Sequence, residues 1–114
     1  MLTLPIKKKW FDMILSGEKK EEYREIKPYY ISRFRNLLGI TDCDDDDEAV
    51  LIVIKVCTEV IGGTKPFNIM FRNGYGKNSP SFITKCTLSV GTGKEEWGAE
   101  KGKEYFILTI HGIV

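Results

Sequence analysis

Histidine and cysteine are scarce in this chain of 114 residues. It contains one histidine, His111, and three cysteines, Cys43, Cys57 and Cys86. An odd number of cysteines at long spacings argues against a disulfide framework and favours a reducing compartment. None of these residues has a second ligand at the short spacing that organises a zinc site. The sequence therefore predicts no metal site and no bound cofactor.

Long apolar runs are also missing. The longest, residues 49–54, is followed by Lys55 and has the length of a buried strand, far short of the roughly 20 residues that span a bilayer. Residues 1–7 lack the basic-then-apolar order of a signal peptide. We predict a single domain over residues 1–114, a cytoplasmic location and no membrane partner. The sequence carries no signal for an oligomeric state.

A strong overall charge is absent too, because the net charge is only +1. Residues 39–48 hold six acidic and no basic residues, so the rest of the chain carries +7. Charges farther apart than about 10 Å are largely screened from each other, so a basic surface that binds nucleic acid is compatible with this balance. The acidic run itself is not an EF-hand, because Asp47 and Val53 occupy the positions of the required glycine and glutamate. It is predicted to be a solvated loop.

Two helices are predicted in the first third of the chain. Trp10, Phe11, Ile14 and Leu15 fall on one helical face, and Gly17 follows as a left-handed C-terminal cap. A second helix is predicted over residues 28–38, with proline at its start and glycine after its end.

The later sequence has the pattern of β-strands. Strands are predicted at residues 49–58, 67–72, 82–90 and 104–111, separated by glycine turns that suit hairpins. Together with a strand directly after Gly17, this predicts an α+β fold: a small, mostly antiparallel β-barrel of five to six strands with two or more flanking helices.

The segment after Gly17 is a lattice of opposite charges. In an extended chain, Lys20, Glu22 and Arg24 share one face, while Lys19 lies on the other. Three interpretations of this segment are open. The first is a surface ion pair with no role in binding or catalysis, the second is a phosphate-binding site made of Lys and Arg, and the third is a catalytic lysine beside a carboxylate.

These residues resemble the ASCH domain family, relatives of the PUA domain. The family pattern is a short helix followed by Gly-x-Lys-x-x-Glu-x-Arg, and Gly17, Lys19, Glu22 and Arg24 fill its four fixed positions. Residues 71–76 and 97–108 look like later parts of the same domain. The resemblance implies a PUA-like β-barrel with flanking helices, a cleft that bears the charged motif, and binding of RNA.

The same resemblance brings in an enzyme alternative. Some single-domain members look like small hydrolases that deacylate N4-acetylcytidine with a lysine, a threonine and a glutamate, and others are associated with RNA cleavage. The lysine matches Lys19, but Glu22 stands where that threonine is expected. Lys19 and Glu22 are therefore the candidate catalytic pair of a small RNA-processing enzyme or nucleoside-amide hydrolase, without the complete amidohydrolase triad.

We predict that the chain binds RNA or a modified nucleotide in a charged cleft. The candidate ligand-binding residues are Lys19, Lys20, Glu22 and Arg24, with Arg72, Asn73, Tyr75 and Lys77 on the opposite wall. A third alternative is a non-catalytic interaction module whose acidic residues 42–48 dock a basic partner. Convergence of Lys19, Glu22 and Arg24 in a cleft is the arrangement that a binding site requires.

Overall fold

The fold is α+β, as the sequence predicted. The computed structural model describes residues 1–39, 52 and 65–114. In chain order these residues form β1 (Leu2–Pro5), α1 (Lys8–Leu15), β2 (Glu21–Glu25), α2 (Pro28–Leu37), β3 (Phe67–Arg72), β4 (Ser81–Thr92), a short 3₁₀ helix (Glu95–Trp97) and β5 (Glu104–Ile113).

Two sequence predictions fall between α2 and β3. The acidic run 42–48 lies outside the described residues, and so does the strand predicted at 49–58, except for Ile52. The backbone at Ile52 is helical, which is not the conformation predicted there.

The five strands form one sheet in the order β1-β3-β4-β5-β2. The pairs β3–β4, β4–β5 and β5–β2 are antiparallel, whereas β1 runs parallel to β3 with Leu2 opposite Ile69 and Leu4 opposite Phe71. The sheet is therefore mostly antiparallel, as predicted. Strand β1 was not predicted, and it makes the sheet mixed.

Both helices pack their apolar faces on one side of this sheet. Phe11 and Ile14 of α1 and Ile31 and Phe34 of α2 are buried in the same cluster as the inward-facing strand residues. The Phe34 ring meets that of Phe106 on β5 at a centroid distance of 5.0 Å. This apolar cluster joins the two helices to the sheet.

The turn after α1 has the predicted cap. Gly17 has a φ of +83°, in the left-handed region, and its N–H donates to the Ile14 carbonyl. Two residues later the Lys19 N–H donates to the Met13 carbonyl, so the chain is still folded against the helix at Lys19. Strand β2 begins only at Glu21.

The two edge strands of the sheet approach each other. Strands β1 and β2 stand at opposite ends of the strand order, yet an Arg24 Nη2 donates a hydrogen bond to the Pro5 carbonyl at 2.8 Å. The sheet therefore curls into a half-barrel, and the Arg24 side chain closes part of the seam between its edges. None of the described helices is long and apolar enough to cross a bilayer.

Candidate functional site

Three charged side chains converge at the seam between β1 and β2. The Glu22 carboxylate receives Lys19 Nζ on Oε1 at 3.0 Å and Arg24 Nη2 on Oε2 at 2.7 Å. The exposed fractions of the three side chains are 1% for Lys19, 8% for Glu22 and 9% for Arg24. The charged motif is therefore a buried ionic cluster with a net charge of +1.

The expected alternation of side chains is wrong at one position. Lys19 joins Glu22 and Arg24, whereas Lys20 is exposed. The reason is that residues 19 and 20 precede the strand, and the bond from the Lys19 N–H to the Met13 carbonyl sets their backbone. The period-two rule applies only from Glu21 onward.

Lys19 is enclosed on three sides. Its ammonium group contacts the Glu22 carboxylate, donates to the Trp97 carbonyl and lies 4.2 Å from the centroid of the Trp10 ring. Burial lowers the pKa of Lys19 below its usual range, and this effect outweighs the opposing attraction of Glu22. The charged form of Lys19 is therefore less favourable in the folded protein than in water.

Arg24 links three elements of the chain, β1, β2 and α2. Besides its contacts with Glu22 and Pro5, its Nη1 donates to the Tyr30 hydroxyl at 3.1 Å. Burial alone would lower the pKa of Arg24, but the Glu22 charge and the Tyr30 contact outweigh it and raise the pKa. Arg24 therefore remains a permanent cation beside a lysine whose charge is destabilised.

An open cleft of about 380 Å³ lies over this cluster. The described residues that line it include five basic and three acidic side chains, a net charge of +2. Its exposed cations are Lys7 and Lys27, with Lys103 half-buried. Five aromatic residues also line it: Trp10, Tyr23, Tyr30, Trp97 and Tyr105.

Sequence reasoning missed most of this aromatic wall. The helical spacing of Trp10 predicted a core position, but Trp10 and Tyr30 are both only half-buried and border the cleft. One feature of the sequence did distinguish them from core residues. Trp10 lies in the first turn of α1 and Tyr30 in the first turn of α2, at the helix ends that border the cleft. Trp97 gave no such signal, since a long connection brings it to Lys19.

That connection, residues 93–103, is hydrogen-bonded to β2 through the Tyr23 hydroxyl. Tyr23 Oη accepts a hydrogen bond from the Lys94 N–H at 2.9 Å and donates one to Glu21 Oε1 at 2.7 Å. Burial raises the pKa of Tyr23 well above its usual value, so the hydroxyl stays protonated. The Trp97 wall of the cleft is in this way held beside Lys19.

The predicted opposite wall is only partly at the site. Tyr75 lines a second depression that adjoins the cleft, but Arg72, Asn73 and Lys77 line neither. Asn73 uses its amide to hold the Ile6 carbonyl at 3.0 Å, and Lys77 is exposed on the turn beyond Tyr75. Lys20 borders a different depression, near the end of β5.

The scarce cysteine and histidine side chains form no second site among the described residues. Cys86 is buried against Thr84, and burial raises the pKa of its thiol to about 11. His111 is exposed and contacts Thr87 at 2.9 Å. Within residues 1–39, 52 and 65–114, no group of three or more His, Cys, Asp or Glu side chains is placed to hold a metal ion.

Comparison with known proteins returned no match: no family model, no curated protein and no solved structure matches this chain.

Proposed function

We propose that the cleft over Lys19, Glu22 and Arg24 binds a nucleotide, either as a unit of single-stranded RNA or as a modified nucleotide. The observation that carries this proposal is a buried ionic cluster at the floor of an open, net-positive cleft with aromatic walls. The resemblance to the ASCH family, with its PUA-like barrel, supports the same proposal.

Burying three charged side chains in one cluster is energetically unfavourable. Replacing a buried ion pair by packed apolar residues is often neutral or stabilising, so three buried charges are a poor choice for stability alone. Lys19 and Arg24 lie in a half-barrel whose neighbouring inward positions, such as Phe106 and Leu108, are apolar. Placed under an open cleft, the cluster fits the binding of a charged or polar ligand.

The walls provide the two contacts that a nucleotide needs. Trp10 and Tyr30 are half-buried aromatic residues at the rim, and bases stack on aromatic rings without strong sequence preference. Lys7 and Lys27 are exposed at the same rim and are available to a phosphate. The Glu22 carboxylate and the Tyr30 hydroxyl are groups that recognise a base edge by hydrogen bonding.

Intrinsic fluorescence tests this directly, because both tryptophans of the chain, Trp10 and Trp97, line the cleft. We expect the four ribonucleoside 5′-monophosphates and a single-stranded RNA octamer to quench this emission saturably. Lys27→Ala is expected to weaken RNA binding several-fold. It is also expected to reduce the slope of log affinity against log salt concentration by about one, the value for one lost phosphate contact.

The matched control is Lys20→Ala, because Lys20 is also an exposed lysine but lies outside the cleft. It is expected to bind like the wild type. Absence of quenching by every probe, or an equal loss in both lysine variants, would contradict the proposal.

A second candidate function is hydrolysis, favoured by one observation. Burial lowers the pKa of Lys19 while the Glu22 carboxylate lies at 3.0 Å, as expected of a lysine that acts as a base or nucleophile. For turnover, the Lys19 amine must leave the Trp97 carbonyl and reach the cleft. As a base, the neutral amine would take a proton from the water that attacks the substrate, Glu22 would stabilise the ammonium formed, and the departing amine or alkoxide would then take up that proton.

Product analysis distinguishes the two functions. We expect any hydrolysis of N4-acetylcytidine or of an RNA panel to be abolished in Lys19→Arg, which keeps a cation but not a titratable amine. Binding without product in any reaction would eliminate the enzyme and leave the binding function. The interaction-module alternative depends on residues 42–48, which lie outside the described residues.

A further inference from the structure

A second depression adjoins the cleft across the segment that follows β1. It has a volume of about 350 Å³ and shares Pro5, Ile6, Lys7, Arg24 and Tyr30 with the cleft. Its additional residues are Gly74 and Tyr75. Each depression has a volume at the lower end of the range for small-ligand pockets. Because they share five lining residues, we describe the two as compartments of one groove.

Tyr75 stands at the outer side of the second compartment. It is 90% exposed, so both faces of its ring are open to a ligand. An exposed aromatic ring beside a groove is the element on which proteins stack unpaired bases.

Close packing and hydrogen bonds define the conformation of the turn that carries Tyr75. Gly74 has a φ of +120°, and a Cβ atom there would lie 2.7 Å from Ser79 Oγ. The same Oγ accepts a hydrogen bond from the Gly76 N–H at 3.2 Å, and the Ser79 N–H donates to the Gly76 carbonyl. The backbone on both sides of Tyr75 is therefore fixed.

Asn73 ties this turn to the cleft. Its N–H donates to the Pro80 carbonyl, and its side-chain amide donates to the Ile6 carbonyl at 3.0 Å. Ile6 belongs to the shared segment that separates the two compartments. The turn that carries Tyr75 is thus hydrogen-bonded, through Asn73, to the segment that lines both compartments.

Lys7 lies at the junction of the compartments. It lines both of them and is exposed, whereas the other shared cation, Arg24, is buried. A phosphate that links two nucleosides, one in each compartment, would lie at such a junction, and a lysine there neutralises its charge.

We propose that the second compartment is a subsite for the neighbouring nucleotide, so that the groove takes two successive nucleotides of one strand. In this arrangement the first base occupies the cleft, the linking phosphate meets Lys7, and the second base stacks on Tyr75. The inference depends on the proposed nucleotide-binding function and specifies its ligand as a dinucleotide step of single-stranded nucleic acid.

The test compares each protein's affinity for two probes. The first is the ribonucleoside 5′-monophosphate that binds tightest, and the second is the 5′-phosphorylated dinucleotide that carries the same base, in both sequence orders. Binding is measured by calorimetry. Because either base of the dinucleotide can enter the cleft, statistics alone account for only about a twofold gain in affinity over the mononucleotide. Stacking of a second base is expected to give a gain in affinity of about tenfold or more.

The gain is expected to fall several-fold in Tyr75→Ala, which keeps the contact of the linking phosphate with Lys7, and to persist in Tyr75→Phe, which keeps the ring. The matched control is Tyr29→Ala, since Tyr29 is also an exposed tyrosine but lines neither compartment. That variant is expected to retain the full gain.

The outcomes separate this inference from the proposed function. If the wild type binds the mononucleotide but gains nothing from the second nucleotide, the subsite is overturned and the cleft proposal stands. A gain that is undiminished in Tyr75→Ala overturns the subsite as well. If neither probe binds, both proposals are overturned.

Discussion

At the scale of single residues, the neighbours Lys19 and Lys20 have opposite environments. Lys19 is buried between a carboxylate, a carbonyl and an indole ring, and Lys20 is exposed. The sequence motif singled out Lys19 with Glu22 and Arg24. Strand alternation selected Lys20 instead, because the start of β2 is fixed by a hydrogen bond to α1 that no local pattern reveals. A motif with fixed spacing was thus the better predictor of this site.

The first prediction concerns the stability that Lys19 provides. Replacing it in Lys19→Met leaves two buried acceptors, Glu22 Oε1 and the Trp97 carbonyl, without the donor that Lys19 Nζ supplies. We expect the free energy of unfolding at pH 7 to fall by about 1–3 kcal/mol, as measured by urea denaturation. The control Lys20→Met changes an exposed side chain and is expected to stay within about 0.5 kcal/mol of the wild type.

The second prediction is a pH dependence that follows from the lowered pKa of Lys19. The folded protein releases the Lys19 proton more readily than the unfolded chain, whose lysine titrates near 10.5. Between those two pKa values the unfolded state binds more protons, so this contribution to stability rises with pH, is complete above 10.5 and is lost as the pH falls through the folded pKa. The difference in unfolding free energy between wild type and Lys19→Met is expected to grow from pH 7 toward pH 10.5. A constant or shrinking difference would contradict it.

At the scale of secondary-structure elements, local patterns predicted those with a strong period or cap. Helices α1 and α2 and strands β3, β4 and β5 lie close to their predicted ranges. Strand β1 was missed because it has only four residues, ends in proline and pairs in parallel with a strand more than sixty residues away. Such pairing depends on tertiary contacts, which the sequence pattern of residues 2–5 does not contain.

The glycine between α1 and β2 gives a prediction at this scale. Gly17 has a φ of +83° with open space where a Cβ would stand, so only backbone strain opposes a side chain there. Gly17→Ala is expected to lower the free energy of unfolding by about 1–2 kcal/mol. Since this turn places Lys19, weaker nucleotide binding should accompany the loss.

Gly112 is the matched control. A Cβ at Gly112 also meets open space, and its φ is not in the left-handed region. Gly112→Ala in β5 is expected to be neutral or to stabilise by up to about 1 kcal/mol, through the reduced entropy of the unfolded chain. Equal effects of the two substitutions in thermal denaturation would refute the cap as the cause.

At the scale of the whole molecule, the site lies where the two ends of the sheet meet. Strands β1 and β2 are the sheet edges, and the Arg24 guanidinium joins them through the Pro5 carbonyl. The sequence predicted a barrel and a charged cleft as separate features. Their coincidence at the seam was not predictable, because it depends on how far the sheet curls.

This coincidence predicts a coupled effect of Arg24→Met. We expect loss of about 3–5 kcal/mol of stability, because Glu22 loses a buried partner. We also expect faster amide hydrogen exchange in both β1 and β2, which are distant in strand order. The control Arg33→Met removes an exposed arginine of α2 that lies over the Tyr29 ring, and exchange at the seam should not change. Faster exchange in β2 alone would show that Arg24 does not connect the edges.

The hydrogen bond from Arg24 to Pro5 also bears on how this protein and its descendants evolve. Most binding residues are retained only while their ligand matters, because the fold does not need them. Arg24 and its partner Glu22 cannot be lost one at a time without leaving a buried charge unpaired, so the cost of each single substitution would preserve both in a descendant that binds nothing. The charged motif would then persist as a structural relic, and residues such as Lys27 and Tyr75, which the fold can spare, would be the ones whose loss marks the loss of binding.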